Sequence, residues 1–79
     1  MLAIPGEWIC ECADTECVSR ISASVQEYEA ARLNPRMFIV CPGHVYPRIE
    51  VVVAANERFA LVEKIGDAGE AAELLAAQE

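Results

Sequence analysis

Trp8-Ile9-Cys10-Glu11-Cys12-Ala13-Asp14-Thr15-Glu16-Cys17 gathers three of the four cysteines of a 79-residue chain between positions 10 and 17. Trp8, Cys10 and Cys12 alternate with Ile9 and Glu11, the period of a strand over residues 8–12 whose one face carries Trp8 toward a core and ends in two thiols. Ala13-Asp14-Thr15-Glu16 is a polar loop long enough to return Cys17 to the same point as a knuckle. Further along, Pro42-Gly43 forces a turn before His44, the single histidine. Gly43 has no Cβ, so the backbone there can approach whatever His44 contacts.

These residue types point to metal chemistry. Zinc takes four ligands in a tetrahedron, thiolate sulfur and imidazole nitrogen suit its borderline-soft character, and closed sites of this kind stabilise small folds directly. Five side chains qualify: Cys10, Cys12, Cys17, Cys41 and His44. Cys41 shares a strand face with Met37 and Ile39 and reads as a small buried apolar residue. The expected ligand set is therefore Cys10, Cys12, Cys17 and His44, with zinc as the cofactor. A set of all four cysteines, holding zinc or an iron–sulfur cluster, is the alternative, and it leaves His44 outside the first shell.

Size favours such a staple, because a chain this short hides only about 60–65% of its unfolded surface on folding. The hydrophobic fraction of 54% is rich in Ala and includes the four Cys, so fewer large side chains exclude water than the figure suggests. The start of the chain, Met1 to Glu7, has neither a basic opening nor an apolar run fit for a signal peptide, and no apolar stretch approaches a membrane span. The expectation is a cytoplasmic protein with no membrane partner, in whose reducing surroundings cysteines serve as ligands rather than as disulfides. A formal charge of −7 repels nucleic acid and leaves ordinary solubility, a basic protein partner or mimicry of a nucleic acid's charge as readings.

Outward from the cysteines, Ser24-Val25-Gln26-Glu27 has the form of a capping box, which starts a helix over 24–34 that Pro35 ends. Met37 to Cys41 reads as a central strand, and residues 58–64, with Phe59, Leu61 and Glu63 alternating against Ala60, Val62 and Lys64, as an edge strand. Residues 47–56 carry conflicting cues. Ile49 and Val51-Val52-Val53 prefer a strand, whereas Pro47 at a first helical position, Glu50 in the first turn, Ala54-Ala55 and a closing Asn56 fit a helix, and helix is the reading taken. Asp67-Ala68-Gly69-Glu70 resembles a further cap, opening a helix over 67–77. The expected fold is thus a single α+β domain over residues 1–79, a short sheet stapled by zinc, with 66–79 a C-terminal helix prone to fray.

Cys10-Glu11-Cys12 with Cys17, Glu27-Tyr28 with Arg32 and Pro35, Phe38, Pro42-Gly43-His44 and Val62-Glu63-Lys64 together resemble a family of short bacterial proteins to which no activity is attached. The resemblance spans roughly residues 8–65. Those proteins are similar to small zinc-binding domains in carrying C-x-C-x4-C before a P-G-H turn, which implies the same four ligands. Three function classes follow. A structural zinc domain acting as an acidic protein-interaction or regulatory module is the first. A thiol redox sensor needs thiolates stabilised by positive neighbours, and Glu11, Asp14 and Glu16 are expected to push the thiols up instead. A metal-dependent hydrolase needs an open coordination position and a base, for which Glu11 or Glu50 are the nominees, but three thiolates make zinc a poor Lewis acid. The sequence thus places an enzyme behind a binding module.

Overall fold

The computed structural model describes residues 6–78, so Met1–Pro5 and Glu79, and what was read from them, lie outside the described residues. A two-stranded antiparallel ribbon comes first, β1 (Glu7–Ile9) against β2 (Arg20–Ser22), with Trp8 opposite Ile21. The Cys10 N–H continues this ladder to the Ser19 carbonyl at 2.8 Å. Beyond that bond the chain leaves β2, and the Glu11 N–H goes to the Ile39 carbonyl at 2.9 Å. The expected strand over 8–12 is therefore shorter, and Cys10 and Cys12 stand in the loop that follows it.

Helix α1 (Val25–Arg32) begins with the capping box read from the sequence. The Ser24 hydroxyl accepts the Glu27 N–H at 3.0 Å, and Glu27 Oε1 accepts the Ser24 N–H at 2.8 Å. It ends at Leu33, ahead of Pro35. Three further strands follow, β3 (Met37–Val40), β4 (Glu50–Ala55) and β5 (Ala60–Lys64), in an antiparallel sheet of order β3-β5-β4. Helix α2 (Gly66–Ala77) closes the described chain. The class is α+β as expected, with two helices and two small antiparallel sheets.

The helix expected over 47–56 is instead a turn leading into β4. The cues at Pro47, Ala54-Ala55 and Asn56 are local, and they are overridden by pairing with β5 and by Asn56, whose Oδ1 accepts the N–H groups of Arg58 at 2.7 Å and Phe59 at 2.9 Å and so shapes the hairpin loop. The two other strands exchange their expected places, with β5 central and β3 at one side. Strand β2 was not read from the sequence at all. Nor does Asp67 cap α2: the N-cap is Ile65, with no side-chain cap bond.

Ile21, Ile39, Val40 and Val62 are fully buried and form the core with Cys10, Ala23, Phe59 and Ala60. Trp8 stacks on Tyr28 with ring centroids 3.9 Å apart, and its indole N–H donates to the Ala23 carbonyl at 2.9 Å, so β1 and α1 share one aromatic layer. Helix α2 approaches closely at Gly69, where a Cβ would fall 2.7 Å from the Lys64 carbonyl oxygen. An ion pair from Arg36 to Glu73 at 3.0 Å fastens the same helix from outside. Strand β4 is the open side of the sheet. Val51, Val52 and Val53 are about half exposed, and an irregularity between Val52 and Ala54 breaks its register with β5.

A buried ion pair crosses β4 and β5. Glu50 and Lys64 stand directly opposite, Lys64 donates to Glu50 Oε2, and Glu50 Oε1 accepts the Tyr46 N–H at 2.8 Å. Glu50 is 1% exposed, so removing it strands a cation and an amide away from water. Glu50→Ala is expected to cost about 3–5 kcal/mol, whereas replacing both partners, Glu50→Leu with Lys64→Met, is expected to cost less, leaving only the Tyr46 N–H without its acceptor. Urea denaturation of the three proteins measures the difference.

Candidate metal centre

Two local structures deliver the ligands. In the first, Asp14 organises the loop between Cys12 and Cys17: its Oδ1 accepts the Glu16 N–H and its carbonyl accepts the Cys17 N–H, both at 3.0 Å. In the second, Cys41-Pro42-Gly43-His44 closes a β-turn, with the His44 N–H on the Cys41 carbonyl at 3.0 Å. Pro42 at the second position and Gly43 at the third with φ +85° give this turn its type II form. The loop belongs to the β1–β2 ribbon and the turn to the end of β3. The site therefore forms where the two sheets meet.

Cys10, Cys12, Cys17 and His44 come together there, each offering one atom, and the four atoms lie within 4.8 Å of one another. His44 Nδ1 is 3.6 Å from Cys10 Sγ and 3.7 Å from Cys17 Sγ. A tetrahedral zinc with bonds of about 2.3 Å to sulfur and 2.0–2.1 Å to nitrogen sets those atoms about 3.6 Å apart. The spacing fits a metal ion of that size. Cys10 is buried, and Cys12, Cys17 and His44 are half-buried, so the cluster reaches the surface along a shallow cleft that Asp14, Val45 and Tyr46 also line.

Cys41 stands apart from this group. Its thiol is 3.8 Å from the Arg20 carbonyl, while its backbone N–H donates to Cys10 Sγ at 3.2 Å. That contribution comes from the main chain and leaves no trace in residue type. The geometry thus brings three cysteines and one histidine together and leaves Cys41 outside that group.

Burial pushes the Cys10 thiol up, against the N–H groups of Cys41 and Cys12, which favour its thiolate. Burial likewise drives Cys12 up to about 11. Cys17 goes the other way, down to about 6, because the Ser19 backbone and then its hydroxyl hydrogen-bond to the sulfur. The expectation that Glu11, Asp14 and Glu16 would raise all three thiols is thus corrected: desolvation dominates at two of them, and Ser19 outweighs it at the third. Ser19 was overlooked in the sequence. Its position two residues after a cysteine, where a backbone N–H can turn back on the sulfur, is the signal that was there to find.

The two nominated general bases are engaged elsewhere. Glu11 takes the Ile39 N–H on Oε1 at 3.0 Å and the Tyr28 hydroxyl on Oε2 at 3.2 Å, with Arg32 3.3 Å away. Glu50 is held by Lys64 and the Tyr46 N–H. Among the described residues no helix is long and apolar enough to cross a membrane. Comparison of the chain with protein-family models, curated proteins and solved structures finds no match.

Metal loading at this cluster would carry a proton signature. Thiols bind as thiolates, so at pH 8, above the Cys17 value and below that of Cys12, loading displaces protons from Cys10 and Cys12. About two protons per ion should appear in a weakly buffered indicator solution, and apparent affinity should fall about 100-fold for each unit of pH decrease in that region.

Proposed function

We propose that this chain is a small structural-zinc domain, with one zinc held by Cys10, Cys12, Cys17 and His44, that serves as an acidic protein-interaction or regulatory module. The observation that carries the metal reading is the spacing of the four ligand atoms, with imidazole nitrogen 3.6 and 3.7 Å from two thiols. When bound, zinc would neutralise two of the three thiolate charges and crosslink the two sheets. The chain supplies backbone N–H donors to the sulfurs and the two turns that present the ligands. Coordination by three thiolates and one imidazole fills the tetrahedron, which supports a structural role over turnover, as does the engagement of Glu11 and Glu50 in bonds of their own.

Elemental analysis of untagged protein should find about one equivalent of zinc. Cys12→Ser should abolish that content and unfold the domain, on the scale of roughly 10 kcal/mol for structural zinc in small peptides. Cys41→Ala should keep the metal. Folded protein without metal overturns the reading, metal retained by His44→Ala and lost by Cys41→Ala overturns the ligand set, and iron with visible absorption moves it to a cluster.

For the partner, the charge of −7 supports a basic protein surface over nucleic acid. Helix α2 adds Asp67, Glu70 and Glu73 beside the exposed Leu74 and Leu75. Attraction between exposed charges decays over a Debye length of about 8 Å at physiological ionic strength, so partner recovery in pull-downs should fall as salt rises and fall again when residues 66–79 are removed. Metal-dependent hydrolysis abolished by Glu11→Gln or Glu50→Gln, with no partner recovered, turns the reading to an enzyme.

A further inference from the structure

The two halves of the ligand cluster come from different sheets, and one residue between two ligands joins them. Among the described residues, strand β3 pairs with β5 on one side only. On its other side, the Ile39 carbonyl accepts the Glu11 N–H at 2.9 Å and the Ile39 N–H donates to Glu11 Oε1 at 3.0 Å. Two residues on, the Cys41 N–H donates to Cys10 Sγ at 3.2 Å. Backbone and side chain of Glu11 thereby do for Ile39 what a neighbouring strand would do. A strand contributes one N–H and one C=O per paired residue, and here the carboxylate replaces the missing carbonyl.

The carboxylate is itself held in place. The Tyr28 hydroxyl donates to Oε2 at 3.2 Å, and the Arg32 guanidinium lies 3.3 Å from Oε1. Arg32 in turn sits against the rings of Tyr28 and Phe38, at 5.7 and 5.2 Å from their centroids, and donates to the Met37 carbonyl. Tyr28 is stacked on Trp8. The side chain of Glu11 is 21% exposed, so these charge-assisted bonds operate in a partly desolvated place. His44 arrives through the turn that directly follows β3. Whatever fixes Cys10 and Cys12 against Ile39 therefore fixes their distance from His44.

From this arrangement we infer that Glu11 is the positioning residue of the metal centre: it sets the register between the cysteine knuckle and the His44 turn, and so the shape of the coordination sphere. The inference rests on the metal reading above and deepens it. Glu11 touches no ligand atom and acts through Ile39 and β3. Outer-shell groups of this kind typically change metal affinity 10–100-fold when removed.

Cobalt(II) serves as the probe, because its visible ligand-field bands report the geometry of a tetrahedral thiolate site, and zinc competition with a chromophoric chelator gives affinity. Wild-type protein that binds neither ion overturns the metal reading itself, independently of Glu11. Given wild-type binding, Glu11→Ala should weaken zinc about 10–100-fold and also shift or broaden the cobalt bands. Glu11→Gln keeps an oxygen for the Ile39 N–H and should restore most of the wild-type spectrum. Tyr28→Phe, which spares that bond and the ion pair, provides a milder variant should Glu11→Ala fail to fold, and it should shift the bands in the same direction to a smaller extent. A residue that merely stabilised the fold would lower affinity and leave the spectrum of the loaded site unchanged. That result in Glu11→Ala, or in Tyr28→Phe where Glu11→Ala does not fold, overturns the inference.

Discussion

Thiolates that share one small volume repel each other, and this chain brings three cysteine sulfurs and an imidazole within 4.8 Å. At a dielectric intermediate between water and a dry interior, two unit charges that close interact by several kcal/mol. Two means of relieving that repulsion recur at the site. Burial keeps Cys10 and Cys12 protonated until a cation arrives, and backbone N–H groups from Cys41 and Ser19 aim positive dipole ends at Cys10 and Cys17. The fold around the site follows from it. Loop and turn geometry at Asp14 and Gly43 serves to aim sulfur and nitrogen, and β3 links the two.

The remainder of the protein balances polar groups in the same manner. No buried side-chain nitrogen or oxygen among the described residues lacks a hydrogen-bond partner. Glu50 and Lys64 satisfy each other under the sheet, and the open side of β3 is met by Glu11. The other outer strand, β4, runs uncharged through three valines, a composition that invites pairing with a foreign strand. Its irregularity between Val52 and Ala54 interrupts the even spacing that such pairing needs.

What was legible in the sequence was whatever short-range chemistry decides. The capping box at Ser24 and Glu27, the stop at Pro35, the apolar run of β3 and the convergence of Cys10, Cys12, Cys17 and His44 all depend on residues whose types and spacings are sufficient cues. Strand β2 was hidden because Arg20-Ile21-Ser22 has one apolar residue and exists only through β1 opposite it. Strand β4 was misread because its helix-like cues lie at its ends, while the pairing that decides it comes from β5. The roles of the Cys41 N–H and of Glu11 were hidden for a different reason. Main-chain donors are the same in every residue but proline, and a glutamate flanked by two cysteines looks like a nearby charge until its oxygens are seen on Ile39.

Cys10 and His44 are 34 positions apart in the chain, and an ion joining them closes a loop that holds β2, α1 and β3. In chain-entropy terms, a permanent crosslink across a loop of that size removes about 3–4 kcal/mol of freedom from the unfolded ensemble. Hairpin β4–β5 and helix α2 fall outside the loop. Such an ion would divide the protein topologically into a part that it encircles and a part that follows it. Loss of the ion would lengthen the leash on the encircled segment and leave α2, fastened through Gly69 and Arg36, governed by its own packing.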